Sequence, residues 1–590
     1  MRTSTAALSF ALAASLATWL AASCANPLAS SNARFEDKPA DMILSAVNGG
    51  RIVTVDEGLG DVEALAVRDG MIIGAGSWRI LKSFVGPKTE VVDLDGRLAI
   101  PGFIEGHAHF TGVGESAQIL DLRKVTSWSE VIGMVERATA TLEPGSWILG
   151  RGWHQEKWDA APLDNVEGFP THGSLSEVTS EYPVFLKHAS GHAAFANARA
   201  MKLAGIDRST PDPDGGELLR DVGGAPTGVL RETAQRLVER VIAEEQAART
   251  DAERDADLER TLRLADRECL AKGVTSFQDA GTPLTTLAGI RRVVERGELD
   301  IRLWVMVRDT NDNLRAGLAD ARVIGAADNH LTVRALKRTL DGALGSRGAW
   351  LLEPYADSPG STGLETAPVA DVEETATIAL EHDMQLCVHA IGDRANRETL
   401  DLFERALHGA DKLDGDHRWR VEHAQHLHPD DIPRFASLGV IASMQAIHCT
   451  SDAPYVLARL GETRAREGAY VWRSLLDSGA IVTNGTDAPV EDVDPIASFH
   501  ATVTRQLADG SRFYPAQALT REEALASYTI ECARAAFEED IKGTLTPGKL
   551  ADIVVLTEDI LSVPEDEILN ARVDLTIVGG RIVYRREPGS

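Results

Sequence analysis

At 590 residues the chain exceeds what one hydrophobic core organises, so two or three domains are expected. A hydrophobic fraction of 44% with 25% charged residues is that of a globular chain and excludes a largely disordered one. The 60 basic and 89 acidic residues leave a net charge of -29, a field that repels phosphate backbones and argues against nucleic acid as a partner.

Residues 1–24 read as an export signal: Arg2, then an uncharged Ala- and Leu-rich run ending in Leu20-Ala21-Ala22-Ser23-Cys24. The end resembles a bacterial lipoprotein signal, with Cys24 as the lipidated mature N-terminus, although Ala21 stands where Leu is usual. The alternative is an ordinary signal peptide cleaved nearby. Residues 25–40 form a polar tether, and the expected location is the periplasm or cell surface, with membrane contact only through the lipid. No later run is long and apolar enough to span a bilayer. Cys269, Cys387, Cys449 and Cys532 are scattered without a CxxC spacing, so no disulfide framework is expected.

Short alternating runs separated by Gly and Asp turns predict strands within residues 41–98, among them Met42-Ile43-Leu44 and Ala64-Leu65-Ala66-Val67. Residues 545–590 behave alike, and Gly-Gly-Arg-Ile-Val occurs at both 49–53 and 579–583. Both termini are therefore expected to build one small β-sandwich, with residues 99–544 as a catalytic barrel between them. There, strand-like segments precede His107 and then cover Gly273–Phe277, Ile301–Val307, Leu331–Lys337, Met384–His389, Trp419–His423, Val440–Gln445 and Ala480–Asn484. Alternation with helical segments predicts a parallel α/β fold, and a count of eight predicts a (β/α)8 TIM-like barrel with its site at the C-terminal strand ends. The gap after the first strand is too long for one βα connection, so residues 115–260 are expected to hold an α/β insertion. It either shapes the pocket or serves packing alone.

His107 and His109 follow the first strand two residues apart, on one face of an extended segment. Two imidazoles so placed can bind one metal ion at about 2 Å, or can be ordinary loop histidines. Lys337 ends the fourth strand, and His389, His423 and Asp487 lie at or just past the fifth, sixth and eighth, so all six project into one barrel mouth. A single polar residue at a strand end is common, whereas chance explains the whole set poorly.

The strings Pro101-Gly-Phe-Ile-Glu-Gly-His107-Ala-His109, Lys337-Arg-Thr-Leu-Asp341-Gly-Ala-Leu-Gly-Ser346-Arg347, His389-Ala-Ile-Gly-Asp393, Arg420-Val-Glu-His423-Ala-Gln425 and Gly485-Thr-Asp487-Ala-Pro489 resemble the amidohydrolase superfamily. The branch they resemble is that of N-substituted formamide deformylase-like (YtcJ-like) proteins, from about residue 40 to the C-terminus. The resemblance implies one metal on His107, His109 and Asp487, a second on His389 and His423, and a carbamate of Lys337, formed with carbon dioxide, bridging them. Lys337 could instead pair with Asp341.

Zinc is the expected metal, from the histidine-rich set. A metal-activated hydroxide would attack an amide, N-acyl or N-formyl C-N bond, with Asp487 taking and returning the proton. An ester, lactone or cyclic imide could meet the same hydroxide, and a metal-retaining binding or regulatory lipoprotein without turnover is the remaining alternative. His192, where relatives show a histidine, Asp341, Arg347, Trp153 and His448 are candidate contacts to a small-molecule amide substrate. Trp153 could form an apolar wall, although a tryptophan is more often simply core or interface, and His426 and His428 read as solvated loop histidines. A homodimer is the default assembly.

Overall fold

The computed structural model describes residues 38–155, 158–188 and 193–587, so the signal sequence and Cys24 lie outside the described residues. At its centre is a sheet of parallel strands paired in succession: β1 (Phe103–Ala108), β2 (Val274–Thr282), β3 (Arg302–Val307), β4 (Leu331–Thr339), β5 (Gln385–Ala390), β6 (Arg420–His423), β7 (Ile441–Met444) and β8 (Val482–Asn484). A short antiparallel strand, Val323–Gly325, adds to β4. Apolar residues dominate β3, β5 and β7, because a barrel strand is covered on both faces. β3 is buried at every residue.

Glycine brings β8 back against β1. A Cβ on Gly106 would lie 2.4 Å from the Asn484 carbonyl oxygen, and one on Gly485 2.6 Å from the His107 nitrogen, so only backbone fits at this seam. The Asp487 N–H donates to the His107 carbonyl at 2.7 Å across it. The expected eight-stranded barrel is therefore present.

Flanking helices bury one face each. In the helix Asp251–Ala271, Leu262, Ala265 and Cys269 join the barrel core at a spacing of three and four residues. It begins at a capping box in which Thr250 and Glu253 satisfy each other's backbone N–H groups. The end of the expected insertion, from residue 251, is thus a barrel helix.

The sequence between β1 and that helix contains a six-stranded sheet, in the order Gly216–Arg220, Pro226–Glu232, Ala193–Ala196, Val184–His188, Ile148–Trp153 and Leu120–Asp121. Alternation decides its faces: Val184 and Leu186 enter one apolar cluster and Phe185 the other.

The two ends of the chain share a second six-stranded sheet: Arg581–Arg585, Val573–Val578, Ile553–Leu556, Leu98–Pro101, Arg51–Val53 and Asp61–Val62. Both copies of the Gly-Gly-Arg-Ile-Val string feed strands of this sheet. Ile553 and Val555 pack against Met42, Leu44, Leu65 and Val67 of a four-stranded sheet, forming the sandwich core. Val554 and Leu556, on the opposite face, pack on Phe103, Phe499 and Tyr528 beneath the barrel.

Cys269, Cys387, Cys449 and Cys532 are buried free thiols. Among the described residues no helix is long and apolar enough to cross a membrane.

Candidate metal centre

The histidines and the aspartate that follow the barrel strands converge. His107 Nε2 lies 3.6 Å from Asp487 Oδ1, and His109 Nε2 3.3 Å from the same oxygen. The His423 ring sits 4.6 Å from that of His107 and 4.3 Å from that of His389, centre to centre. Lys337 Nζ is 3.4 Å from His107 Nε2. Ligand atoms of His107, His423 and Asp487 fall within 4.8 Å of one another, all three residues being buried. His109 beside Asp487 and His389 beside His423 are also the neighbours that the resemblance implies.

Local backbone explains how two neighbours on one strand reach the interior. A regular strand would send Glu422 and His423 to opposite faces. His423 instead adopts φ +76°, a left-handed conformation uncommon for a residue with a Cβ, and both side chains meet His107. Asp487 is also left-handed, at φ +56°. Such conformations persist only where the surroundings enforce them, and they concentrate at functional sites.

Two of the imidazoles are gripped from behind. His107 Nδ1 bonds Glu422 Oε2 and His423 Nδ1 bonds Gln445 Oε1 at 2.7 Å, while His389 Nε2, 3.5 Å from Asp341 Oδ1, makes no hydrogen bond among the described residues. Gln445 donates its own amide N–H to the Ser443 carbonyl at 3.1 Å, which sets its oxygen toward His423.

Burial, followed by the charge of Lys337, lowers the pKa of His107 to about 4 and that of His389 to about 3, and burial also holds His423 well below its ordinary value. The rings are therefore neutral near pH 7. Burial opposes ionisation of Asp487, but hydrogen bonds from His109 and His448 outweigh it and hold the carboxyl well below the usual range.

This arrangement tests whether a cation fits. A neutral His107 that gives its Nδ1 hydrogen to Glu422 presents a lone pair at Nε2, facing a carboxylate oxygen at 3.6 Å. Two acceptors face each other there, and a divalent cation between them converts the repulsion into coordination. Burial also lowers the Lys337 pKa, favouring the neutral amine, which is the form that reacts with carbon dioxide.

The other candidate residues divide. His448 is buried beside the cluster, its Nε2 3.4 Å from Asp487 Oδ2 and its Nδ1 3.7 Å from Glu491. Asp341 is buried but committed to backbone, accepting from Trp350 N at 2.9 Å, Ile391 N at 3.0 Å and Gly392 N at 2.8 Å. Arg347 is half-buried and paired with Asp357 at 2.9 Å. Trp153 lies in the insertion core and donates to the Leu186 carbonyl at 2.9 Å, so of its two readings the structure gives the packing one. His192 lies outside the described residues.

His428 is half-buried, whereas His426, also expected to be solvated, is buried with its ring edge-on to Tyr470. Sequence reasoning also missed Glu422 and Gln445. Their adjacency to His423 and to the end of β7 was the only signal, and strand alternation argued against Glu422.

Comparison with known proteins gives a consistent result. The sequence profile described as the amidohydrolase family matches residues 90–584. The chain is 34% identical to Protein LONG AFTER FAR-RED 3 of Arabidopsis thaliana, over 91% of each chain. It is 28% identical to the N-substituted formamide deformylase of Arthrobacter pascens, over 92% of this chain and 98% of that one. The crystal structure of an uncharacterized metal-dependent hydrolase from Pyrococcus horikoshii superposes with a TM-score of 0.70 at 28% identity, over 89% of this chain and 99% of the other.

Proposed function

The chain belongs to the amidohydrolase family, as a metal-dependent hydrolase, and from that premise we propose that it cleaves a non-peptide C-N bond of an amide, N-acyl or N-formyl compound. The observation that carries this reading is the convergence of His107, His423 and Asp487 in the barrel mouth, with an ionised carboxylate facing a neutral imidazole. Similarity to a formamide deformylase along nearly its whole length supports the choice of bond.

In this proposal His107, His109, His389, His423 and Asp487 hold divalent cations, zinc by donor type, and Lys337 joins them once its neutral amine has added to carbon dioxide with release of a proton. Cations bound there would acidify water and polarise the substrate carbonyl. Asp487 accepts a proton from water as the water oxygen bonds to the carbonyl carbon, and returns it to nitrogen as the C-N bond breaks. His448, against the other carboxylate oxygen, orients Asp487; although burial pulls its pKa down, hydrogen bonds to Asp487 and Glu491 raise it to about 10.

The test is hydrolysis of a panel of N-formyl and N-acyl amines alongside matched esters, with bound metal assayed in parallel. Wild type should turn over members of the amide set, lose activity on chelation and regain it with a divalent metal. Asp487→Asn should lower turnover by about 10²–10⁴-fold, the range of a proton-transfer residue. Turnover of esters only would sink the choice of bond, and undiminished turnover by Asp487→Asn would sink the role of Asp487.

A further inference from the structure

Behind His107 lies a buried charged network that the proposed chemistry does not use. Arg420 and Glu422 are both fully buried on β6. Arg420 Nε lies 2.7 Å from Glu422 Oε1, and its Nη2 donates to Oε2 at 3.2 Å. The same Nη2 donates to the Gly106 carbonyl at 2.7 Å and to Ser443 Oγ at 2.7 Å, while Nη1 donates to Gln278 Oε1 at 2.5 Å. Glu422 Oε2 also bonds His107 Nδ1. The pair thus holds β1 at two consecutive residues, the backbone of Gly106 and the ring of His107.

Stability alone is a poor reason for this arrangement. Removing two charges from water costs more than their attraction commonly returns, and well-packed apolar side chains often replace buried pairs without loss. The surroundings would accept them: Ala280, Trp304, Met306, Ala335 and Cys387 form an apolar cluster in the same barrel interior, and Arg420 lies over the Trp304 ring. What apolar side chains cannot do is accept the Nδ1 hydrogen of a neutral imidazole. That acceptor decides which nitrogen keeps its lone pair and which way the ring points.

We infer that Glu422 is a positioning residue for the metal centre: held by Arg420, it fixes the His107 tautomer and ring so that Nε2 faces Asp487 and Lys337. The inference rests on the function proposed above. It assigns Glu422 to a different task from His423, its neighbour on the strand, which meets the centre through its own ring. The φ of +76° at His423 allows one strand end to supply both a ligand and the partner of another ligand.

The experiment compares zinc affinity, by chelator competition, and the absorption spectrum of the cobalt-substituted protein for wild type, Glu422→Leu and the double variant Arg420→Met/Glu422→Leu, with thermal unfolding as the control. Glu422→Leu should bind zinc about 10–100-fold more weakly and shift the cobalt spectrum, as loss of a ligand's outer partner does. The double variant has no unpaired guanidinium, and its affinity should stay low.

Wild-type affinity in Glu422→Leu would overturn the inference. Recovery in the double variant would also overturn it, by showing that Glu422 only neutralises Arg420. If neither variant folds, Glu422 serves the fold itself and the positioning role is rejected. If wild type binds no metal, the proposed function fails instead.

Discussion

His426 shows what an imidazole costs when burial is not matched by hydrogen bonding. Neither ring nitrogen has a hydrogen-bond partner among the described residues, and burial lowers its pKa to about 3. Above the ordinary histidine value of 6.5 the ring is neutral in both folded and unfolded chains, so it carries no pH-dependent term. As pH falls below 6.5 toward about 3, the unfolded chain gains a proton that the folded one refuses, and stability falls with pH. His426→Leu should remove this contribution, sparing about 1 kcal/mol of the stability lost between about pH 7.5 and about pH 5.5. Urea unfolding at the two pH values measures it, and an unchanged difference would contradict the account. The burial of His426 was not legible, because a histidine three residues past a strand end is solvated in most loops. The convergence of His107, His109, His389, His423 and Asp487 was legible, since each lies at or just past the C-terminal end of a strand-like segment, and in a barrel those ends share one mouth. Their outer partners were not, because φ at His423 is set by tertiary packing, while alternation along the strand points Glu422 away.

At the scale of elements, the strands were readable and the closure was not. Runs such as residues 303–307 are apolar throughout, the pattern of a strand covered on both faces, and eight strand-like segments imply a barrel. Nothing in those runs says how β8 meets β1. The seam depends on Gly106 and Gly485, where backbone approaches backbone, and on Glu105. That carboxylate is fully buried and accepts from Thr486 N at 2.7 Å, His107 N at 3.1 Å and Thr486 Oγ1 at 2.9 Å. Glu105 therefore ties the residue before Asp487 to the backbone of His107. Gly106→Ala would place a methyl group 2.4 Å from the Asn484 carbonyl oxygen, and relief requires β1 and β8 to part. The expected cost is about 1–3 kcal/mol of stability, with weakened metal binding because His107 and Asp487 sit on opposite sides of the seam. Chemical denaturation with a metal titration checks both, and a variant within about 0.5 kcal/mol of wild type and with unchanged affinity would show that the seam is not tight.

Across the whole molecule, the question is what attaches the terminal sheets to the barrel. Similar strings at 49–53 and 579–583 suggested that the two ends share one sheet, and they do. The contact with the barrel could not be read, because it joins residues 250 positions apart. Asp552, just before the strand Ile553–Leu556, receives Arg302 at the start of β3: Nε to Oδ2 at 2.7 Å and Nη2 to Oδ1 at 3.0 Å, both side chains being buried. Its Oδ1 also accepts from Gly579 N at 2.8 Å, at the turn between the last two strands. One carboxylate thus links a barrel strand to the turn of the C-terminal hairpin. Although burial opposes ionisation, the charge of Arg302 and these hydrogen bonds lower the Asp552 pKa. Asp552→Asn would leave the buried guanidinium without a counter-charge, which costs about 3–5 kcal/mol when one partner of such a pair is removed. The break lies on the face of the barrel away from the metal centre, at the N-terminal end of β3, so the ligand geometry is left in place. Zinc affinity of the folded variant should therefore match wild type while its unfolding midpoint falls. Equal loss of affinity and stability would mean that the sheets position the centre as well as cover the barrel floor.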